Sequence, residues 1–266
     1  VIPAVDLDLD LERYRDIALT LADAADEVSL RHFGGQIAAE RKRDGSFVTA
    51  ADKAVETAVR AALADLAPGA PVLGEEQGGA LQTDEPTWVI DPIDATNNFL
   101  RGIPVYATLI AVVVGDHPAV GVASAPAMGE RWDAAHGMGT RRNGESARVS
   151  DIADLAEAQL LHGGLDWWRE TPGEWERLGR LTDIVWRTRG FGDFWMHLLV
   201  AGGMAEIAIE SDLKPWDIAA VECIVTEAGG RMTSYDGGPP IPAGQALSTN
   251  GVLHDEVLRL LSDAPG

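Results

Sequence analysis

The hydrophobic period of this chain changes near Ser150, and few folds accommodate both parts of the pattern. From about Leu11 to Phe33, the positions Ile17, Leu21, Ala25 and Val28 recur at the spacing of one helix face. A second helix is predicted to start after Thr49, a capping residue with Asp52 at the third helical position. It would bury Val55, Val59, Leu63 and Leu66 and stop before Pro68 and Gly69. Pro71 to Gly74, Trp88 to Ile90, Ala107 to Val114 and Ala119 to Ser124 read as strands, with Gly115 and Asp116 turning the last two. Asn143-Gly144 marks a further hairpin. Helices followed by a largely antiparallel sheet is an α+β order.

Beyond Ser150 strands and helices alternate. Strands are expected near Gln159 to His162, Trp186 to Arg189, Glu206 to Ile209, Arg231 to Ser234 and Leu247. Helices fall between them, near Glu174 to Ile184, Phe194 to Ala201 and Asp217 to Ala228, with a last one from about Leu253. This half reads as α/β. No repeat, low-complexity tract or flexible linker interrupts the chain, so residues 1–150 and 151–266 are expected to pack as two halves of one unit.

Of the 266 residues, 46% are hydrophobic, enough for a substantial core. No apolar run approaches the roughly 20 residues that span a bilayer, and the first residues lack a basic stretch followed by an apolar one. The only cysteine, Cys223, cannot form an intrachain disulfide and reads as a small buried side chain. A soluble, cytoplasmic protein without membrane partners is expected. The formal charge of −21 argues against a nucleic-acid partner, which demands clustered Lys and Arg. An anionic ligand would need a local source of positive charge, and carboxylates that recruit divalent cations supply one.

Four acidic clusters suit that purpose: Asp52 in SFVTAAD, Glu75 and Glu76 in GEEQGG, Asp91 and Asp94 in DPID, and Asp217 in KPWD. Each sits where a strand ends or a helix starts, so a scaffold can hold it rigidly and still leave it open. Pro92 is expected to place a turn in DPID, letting Asp91 and Asp94 face one point. Carboxylates around one point repel unless a hard cation joins them, and all-oxygen ligation selects magnesium, manganese or calcium. The six histidines are scattered, with no HExxH pair. Ala95-Thr96-Asn97-Asn98 follows as a first helical turn whose free N–H groups would make an anion site. Taken singly, Asp52, Asp94 and Asp217 could each simply cap a helix, and Glu75 and Glu76 could be a solvated loop. Their joint order favours a site.

With DGSFVTAAD (44 to 52), GEE (74 to 76), WVIDPIDATNNF (88 to 99) and PWDIAAVECIVTEAGG (215 to 230) in this order, nearly the whole chain resembles the inositol monophosphatase superfamily. VYATLIAVVV, GVASAPAMGERW and LSTNGVLHDEVL look most like its actinobacterial histidinol-phosphate phosphatase branch. The resemblance implies a layered αβαβα sandwich, usually dimeric, with the active site between its halves. It further implies that Glu75, Asp91, Asp94, Asp217 and the Ile93 carbonyl ligate two magnesium ions, and that Asp52 holds a third, weaker one through water. Glu75 and Thr96 would position and deprotonate the attacking water. Asp94 and the amides of Ala95 and Thr96 would hold the phosphate, and Glu210, Gly192 and Asp193 would border the organic part of the substrate. Ala95 stands where the family usually has glycine, so its methyl group is expected to narrow the site or resist a positive φ. HGGLDWW replaces a serine-rich stretch of the branch beside the substrate.

Other motifs are weaker. VDLDLDL has Leu11 where a DxDx[TV] nucleophile motif needs Thr or Val, and reads as a solvated lead into the first helix. Arg31-His32 lies within a helical pattern. Trp167, Trp168, Trp175, Trp186 and Trp195 read first as packing residues. The leading expectation is an enzyme that hydrolyses a small phosphate monoester, histidinol phosphate first and inositol 1-phosphate or another sugar or nucleoside phosphate second. The rival of another class, motivated by Ala95 and Asn97, is a non-catalytic relative that binds metal or phosphate. Asp94→Asn, with one ligand charge removed, should lose nearly all phosphatase turnover while its circular dichroism stays that of the folded protein. Unchanged turnover would refute the metal-binding assignment.

Overall fold

The computed structural model describes residues 9–35, 39–41 and 47–262. Helix α1 (Leu11–His32) is capped by Asp10, whose carboxylate accepts the Arg13 N–H at 3.0 Å. Asp10 belongs to the acidic run at 5–11, of which residues 5–8 lie outside the described residues, as do residues 44–46 of DGSFVTAAD. Strands β1 (Ala39–Arg41) and β2 (Phe47–Thr49) pair antiparallel and lead into α2 (Ala50–Leu66). Thr49 and Asp52 form the capping box expected there. Leu66 lies on the buried stripe by angle yet is 37% exposed, because burial needs an opposing element as well as periodicity.

Seven strands follow, interrupted by one short helix. They are β3 (Val72–Gly74), β4 (Thr87–Asp94), β5 (Ala107–Val114), β6 (His117–Ala125), β7 (Glu130–Ala135), β8 (Gly139–Arg142) and β9 (Glu145–Ala147), with α3 (Thr96–Leu100) between β4 and β5. The strands form one sheet in chain order, antiparallel throughout except for the parallel pair β3–β4. Asn143 and Gly144 turn the hairpin between β8 and β9, both with positive φ.

Beyond Ser150 come β10 (Gln159–His162), α4 (Asp166–Glu170), α5 (Glu174–Thr182), β11 (Arg187–Arg189), α6 (Asp193–Ala201), β12 (Ile207–Ser211), α7 (Pro215–Glu227), β13 (Arg231–Thr233), α8 (Pro240–Ala243), β14 (Gln245–Thr249) and α9 (His254–Ser262). The sheet order is β11-β10-β12-β14-β13. β10 runs parallel to β11 and β12, whereas β14 is antiparallel to both β12 and β13, so the sheet is mixed rather than wholly parallel. A helix crossover is what a parallel pair requires. The link from β13 to β14 holds only the four-residue α8, and it returns the chain antiparallel.

Alternation along the strands builds the layers. Trp88, Ile90, Ile110, Val112, Val120 and Val122 meet Leu21, Ala25, Val55 and Val59 of α1 and α2. The intervening residues Val89, Leu109, Ala111 and Ala123 meet Ile218, Val221 and Leu198 of α7 and α6 on the other face. In the second sheet Leu161 and Ala208 pack on Met196 and Val200 of α6. Leu160, Ile207 and Ile209 face outward onto Trp168, Leu178, Val257 and Leu261. The result is helix, sheet, helix, sheet, helix, the αβαβα sandwich that the family resemblance implies. At Gly121 on β6 an added Cβ would collide with the carbonyl oxygen of Ala220 on α7, so the central helix layer lies against bare backbone. Gly121→Ala should therefore cost about 1–3 kcal/mol in urea unfolding, and an unchanged midpoint would show that the layers separate freely.

Candidate active site

The acidic motifs converge where the two sheets face α6 and α7. In the parallel pair β3–β4, Gly74 lies opposite Ile90, and the Glu75 N–H donates to the Ile90 carbonyl at 3.1 Å. Glu75, just past the end of β3, and Asp91, the next residue of β4, thus lie side by side at the same end of this pair. The loop after Glu75 is held by a residue the sequence reasoning missed. Glu56 of α2 is fully buried, pairs with Arg60 at 2.8 Å and accepts the N–H groups of Glu76 at 2.8 Å and Gln77 at 3.2 Å. Gly74 is required beside it, because a Cβ there would strike the Glu56 carboxylate.

DPID does not make the turn expected of Pro92. The strand continues to Asp94, and Asp91 pairs with Leu109 while Asp94 pairs with Ala107, so three steps on β4 match two on β5. This extra residue is a β-bulge, which brings two carboxylates an odd number of residues apart onto one side. The Ile93 N–H donates to Asp91 Oδ1 at 3.0 Å, and Thr108 Oγ1 donates to the Pro92 carbonyl at 2.8 Å. Asp217 arrives from the first turn of α7, where its carboxylate accepts the Lys214 N–H at 2.7 Å. One carboxylate oxygen each from Asp91, Asp94 and Asp217 lie within 4.8 Å of one another.

Asp94 also joins the sheets. Its Oδ1 accepts the Ala95 N–H at 3.0 Å, and its Oδ2 accepts the Phe194 N–H of α6 at 2.8 Å. Ala95 has φ 65° and ψ 45°, so the position adopts the left-handed conformation despite its methyl group. That costs about 1–2 kcal/mol relative to glycine. Asp193 at φ 50° and Asp212 at φ 63° carry similar strain beside the same cleft. Thr96 Oγ1 lies 3.0 Å from the Ile93 carbonyl and 3.3 Å from Asp52 Oδ1, so its one proton can serve either. Asp52 Oδ2 meanwhile accepts the Thr49 N–H at 2.7 Å and the Thr49 hydroxyl at 2.6 Å.

Beyond the cluster opens a cleft of about 540 Å³, lined by Glu75, Asp94, Asp193, His197, Glu210 and Asp217, with Lys214 and Trp216 at its wall. Gly192 precedes Asp193 at the N-terminus of α6 with φ 68°. The five tryptophans read as packing residues do not line this cleft, and Trp168 stacks on Tyr235 at 5.2 Å in the outer layer. His197, Phe194 and Trp216 were not singled out from the sequence. His197 stands four residues after Asp193, one helical turn on the same face, and that spacing is the signal that could have found it.

Without a counter-charge the carboxylates raise one another. Burial pushes Asp91 and Asp94 well above the usual carboxylate range, and neighbouring charges, Glu75 on Asp91 and Asp193 on Asp94, push further. Burial takes Asp217 to about 7 and Asp193 to about 6. Glu210 rises well above its usual value through burial and then through Asp193 and Asp217. A buried set of oxygen donors driven toward protonation fits a hard divalent cation, which would relieve the repulsion. The sign of the linkage follows. A carboxyl with a raised folded-state pKa contributes stability below about pH 4, lost as the pH climbs through 6 to 7. Metal-free protein should melt at progressively lower temperature across that window, and millimolar magnesium should restore the melting temperature at about pH 8 more than at about pH 4. A magnesium response independent of pH would contradict the assignment.

The family profile described as "Inositol monophosphatase family" matches residues 10–265. The histidinol-phosphatase of Mycobacterium tuberculosis is 47% identical over 252 residues, covering 92% of this chain and 96% of that protein. The histidinol-phosphatase of Streptomyces coelicolor is 44% identical over 256 residues, with the same coverage of 92% and 96%. The solved structure of an inositol monophosphatase from Anabaena superposes with a TM-score of 0.84 at 32% identity, covering 97% of this chain and 98% of that one.

Proposed function

We propose that this chain, which belongs to the inositol monophosphatase family, hydrolyses histidinol phosphate with the help of magnesium. It is a phosphoric monoester hydrolase of a metal-dependent family, and its substrates are small phosphate monoesters. The observation that carries the reading is the approach of Asp91, Asp94 and Asp217 within 4.8 Å at the mouth of an acidic cleft. Histidinol phosphate comes first because the relatives at 47% and 44% identity are histidinol-phosphatases. The lining agrees: Asp193 and Glu210 suit an organic part that bears an ammonium group and an imidazole. The phosphate ester of an uncharged alcohol, such as inositol 1-phosphate, is the second reading, supported by the Anabaena structure.

In this reading Glu75, Asp91, Asp94, Asp217 and the Ile93 carbonyl would hold two magnesium ions, and Asp52 would help to hold a third. Bound magnesium supplies Lewis acidity, which acidifies water and stabilises the leaving alkoxide. Thr96 and Glu75 orient the attacking water in line with phosphorus and take its proton. Asp52 accepts the Thr96 proton in turn, a role supported by the 3.3 Å separation of the two side chains. The phosphate would sit beside Asp94, whose charge a bound cation must offset, on the amides of Thr96 and of Ala95, the latter exchanging its present partner, Asp94 Oδ1 at 3.0 Å, for the phosphate. Ala95 supports that role, because a left-handed residue before α3 turns the following amide outward. Gly192, Asp193 and Glu210 border the alcohol. No phosphoenzyme is required.

We further take residues 1–150 and 151–266 as the two halves that enclose the site, and the protein as a cytoplasmic homodimer. Among the described residues no helix is long and apolar enough to cross a membrane, and Cys223 is a buried free thiol. A phosphate-release assay with magnesium, over histidinol phosphate, inositol 1-phosphate and a nucleoside monophosphate, should give the highest kcat/KM for histidinol phosphate. Preference for the inositol ester would install the second reading. Magnesium binding without turnover of any ester would leave a non-catalytic binder.

A further inference from the structure

His197 of α6 is 2% exposed and borders the acidic cleft, yet its Nε2 has no hydrogen-bond partner among the described residues. Its other ring nitrogen lies 2.7 Å from Ser248 Oγ on β14. Glu210 Oε2 is 3.9 Å from Nε2, about 1 Å beyond a hydrogen bond. The rest of that carboxylate is already backed. Oε1 lies against Gly163, where an added Cβ would collide with it, and the carboxylate accepts the Asp193 N–H from the start of α6. HGGLDWW therefore has a local reason for glycine at 163: it makes room for Glu210.

We propose that His197, steadied by Ser248, is a positioning residue that orients Glu210 toward a cationic group on the alcohol part of the substrate. The inference rests on the phosphomonoesterase reading and on the place of Glu210 beside the alcohol. Carboxylates around Nε2 favour the tautomer that carries its proton there, so the Ser248 hydroxyl donates to Nδ1. When an ammonium group docks, Glu210 is held ionised and gains from a second donor, and a shift of about 1 Å closes the gap to Nε2–H. Burial lowers the imidazole pKa to about 3, so the donor is neutral. Lysine or arginine there would pair with Glu210 and cancel the field that attracts a cation. A neutral donor orients the carboxylate and leaves its charge to the substrate. The ligand class is thus a phosphate monoester of an amino alcohol, favoured over a neutral polyol ester.

The test compares kcat/KM for histidinol phosphate and for glycerol 2-phosphate in the full-length protein with magnesium. In His197→Asn the shorter amide reaches Ser248 but presents nothing at Nε2, while in His197→Gln the longer amide places a donor there. His197→Asn should lower the ratio of the two constants about tenfold or more, chiefly through KM for the amino-alcohol ester, and His197→Gln should hold it within about threefold of the parent. An unchanged ratio in His197→Asn, an equal fall for both esters, or no recovery in His197→Gln overturns the proposal. If His197→Asn does not fold by circular dichroism, Ser248→Ala is judged by the same ratio and the same fall. A parent protein that turns over neither ester overturns the phosphatase reading itself, whereas a parent active on both with a ratio insensitive to these variants overturns only the role of His197.

Discussion

Carboxylates repel, and burying several of them together is unfavourable unless the scaffold compels it or a cation joins them. The rest of this structure can be understood from how firmly it imposes that proximity. Asp91 is carried by a strand next to the sheet edge with helices on both faces, Asp94 by the bulge after it, and Asp217 by the first turn of the middle helix layer. Each is fixed by backbone donors, from Ile93, Phe194 and Lys214 respectively. Rigid elements on three sides leave the side chains little room to move apart.

Asp94 has a second part in the architecture. Its two oxygens accept backbone N–H groups from the next residue, Ala95, and from Phe194, 100 positions on. The carboxylate is therefore both part of the cluster and a tie between the first sheet and the helix layer that supports the second. Glu56 does comparable work for the GEEQ loop from within α2. Acidic residues consequently appear at several depths: in the cluster, behind it and along the cleft. That distribution gives a strongly anionic chain a use for its charge that involves no polyelectrolyte partner.

Much of the fold was legible because long apolar periodicities are decisive when they are clean. α1, β5 and β10 fall where the pattern puts them, and Thr49 with Asp52 caps α2. β7 was not seen, because ERWDAA mixes charge into a strand whose Arg131 reaches Asp23 and Asp26 of α1. α4 was hidden in HGGLDWW, where glycines mask a helix of only five residues. The DPID segment was read as a turn from Pro92, but a sheet edge and a bulge achieve the same convergence, and only pairing with β5 distinguishes them. The acidic members of the site were visible as residue types at element ends. Glu56 was not, since it acts by contact with a loop 20 residues off in sequence, and His197 shows in the sequence only as the residue one helical turn after Asp193.

Ala95 shows what a motif position encodes. A pattern written in residue letters would put there the glycine that the resemblance implies is usual, whereas the backbone requires a left-handed pair of dihedral angles, which an alanine meets here at φ 65° and ψ 45°. Neighbouring hydrogen bonds hold that conformation: the Ala95 carbonyl accepts the Asn98 and Phe99 N–H groups, while its own N–H is taken by Asp94. Motifs of this kind are constraints on torsion that tolerate any side chain whose steric penalty the surroundings can absorb. A search restricted to the glycine spelling would pass over chains that satisfy the geometry, and this is one of them.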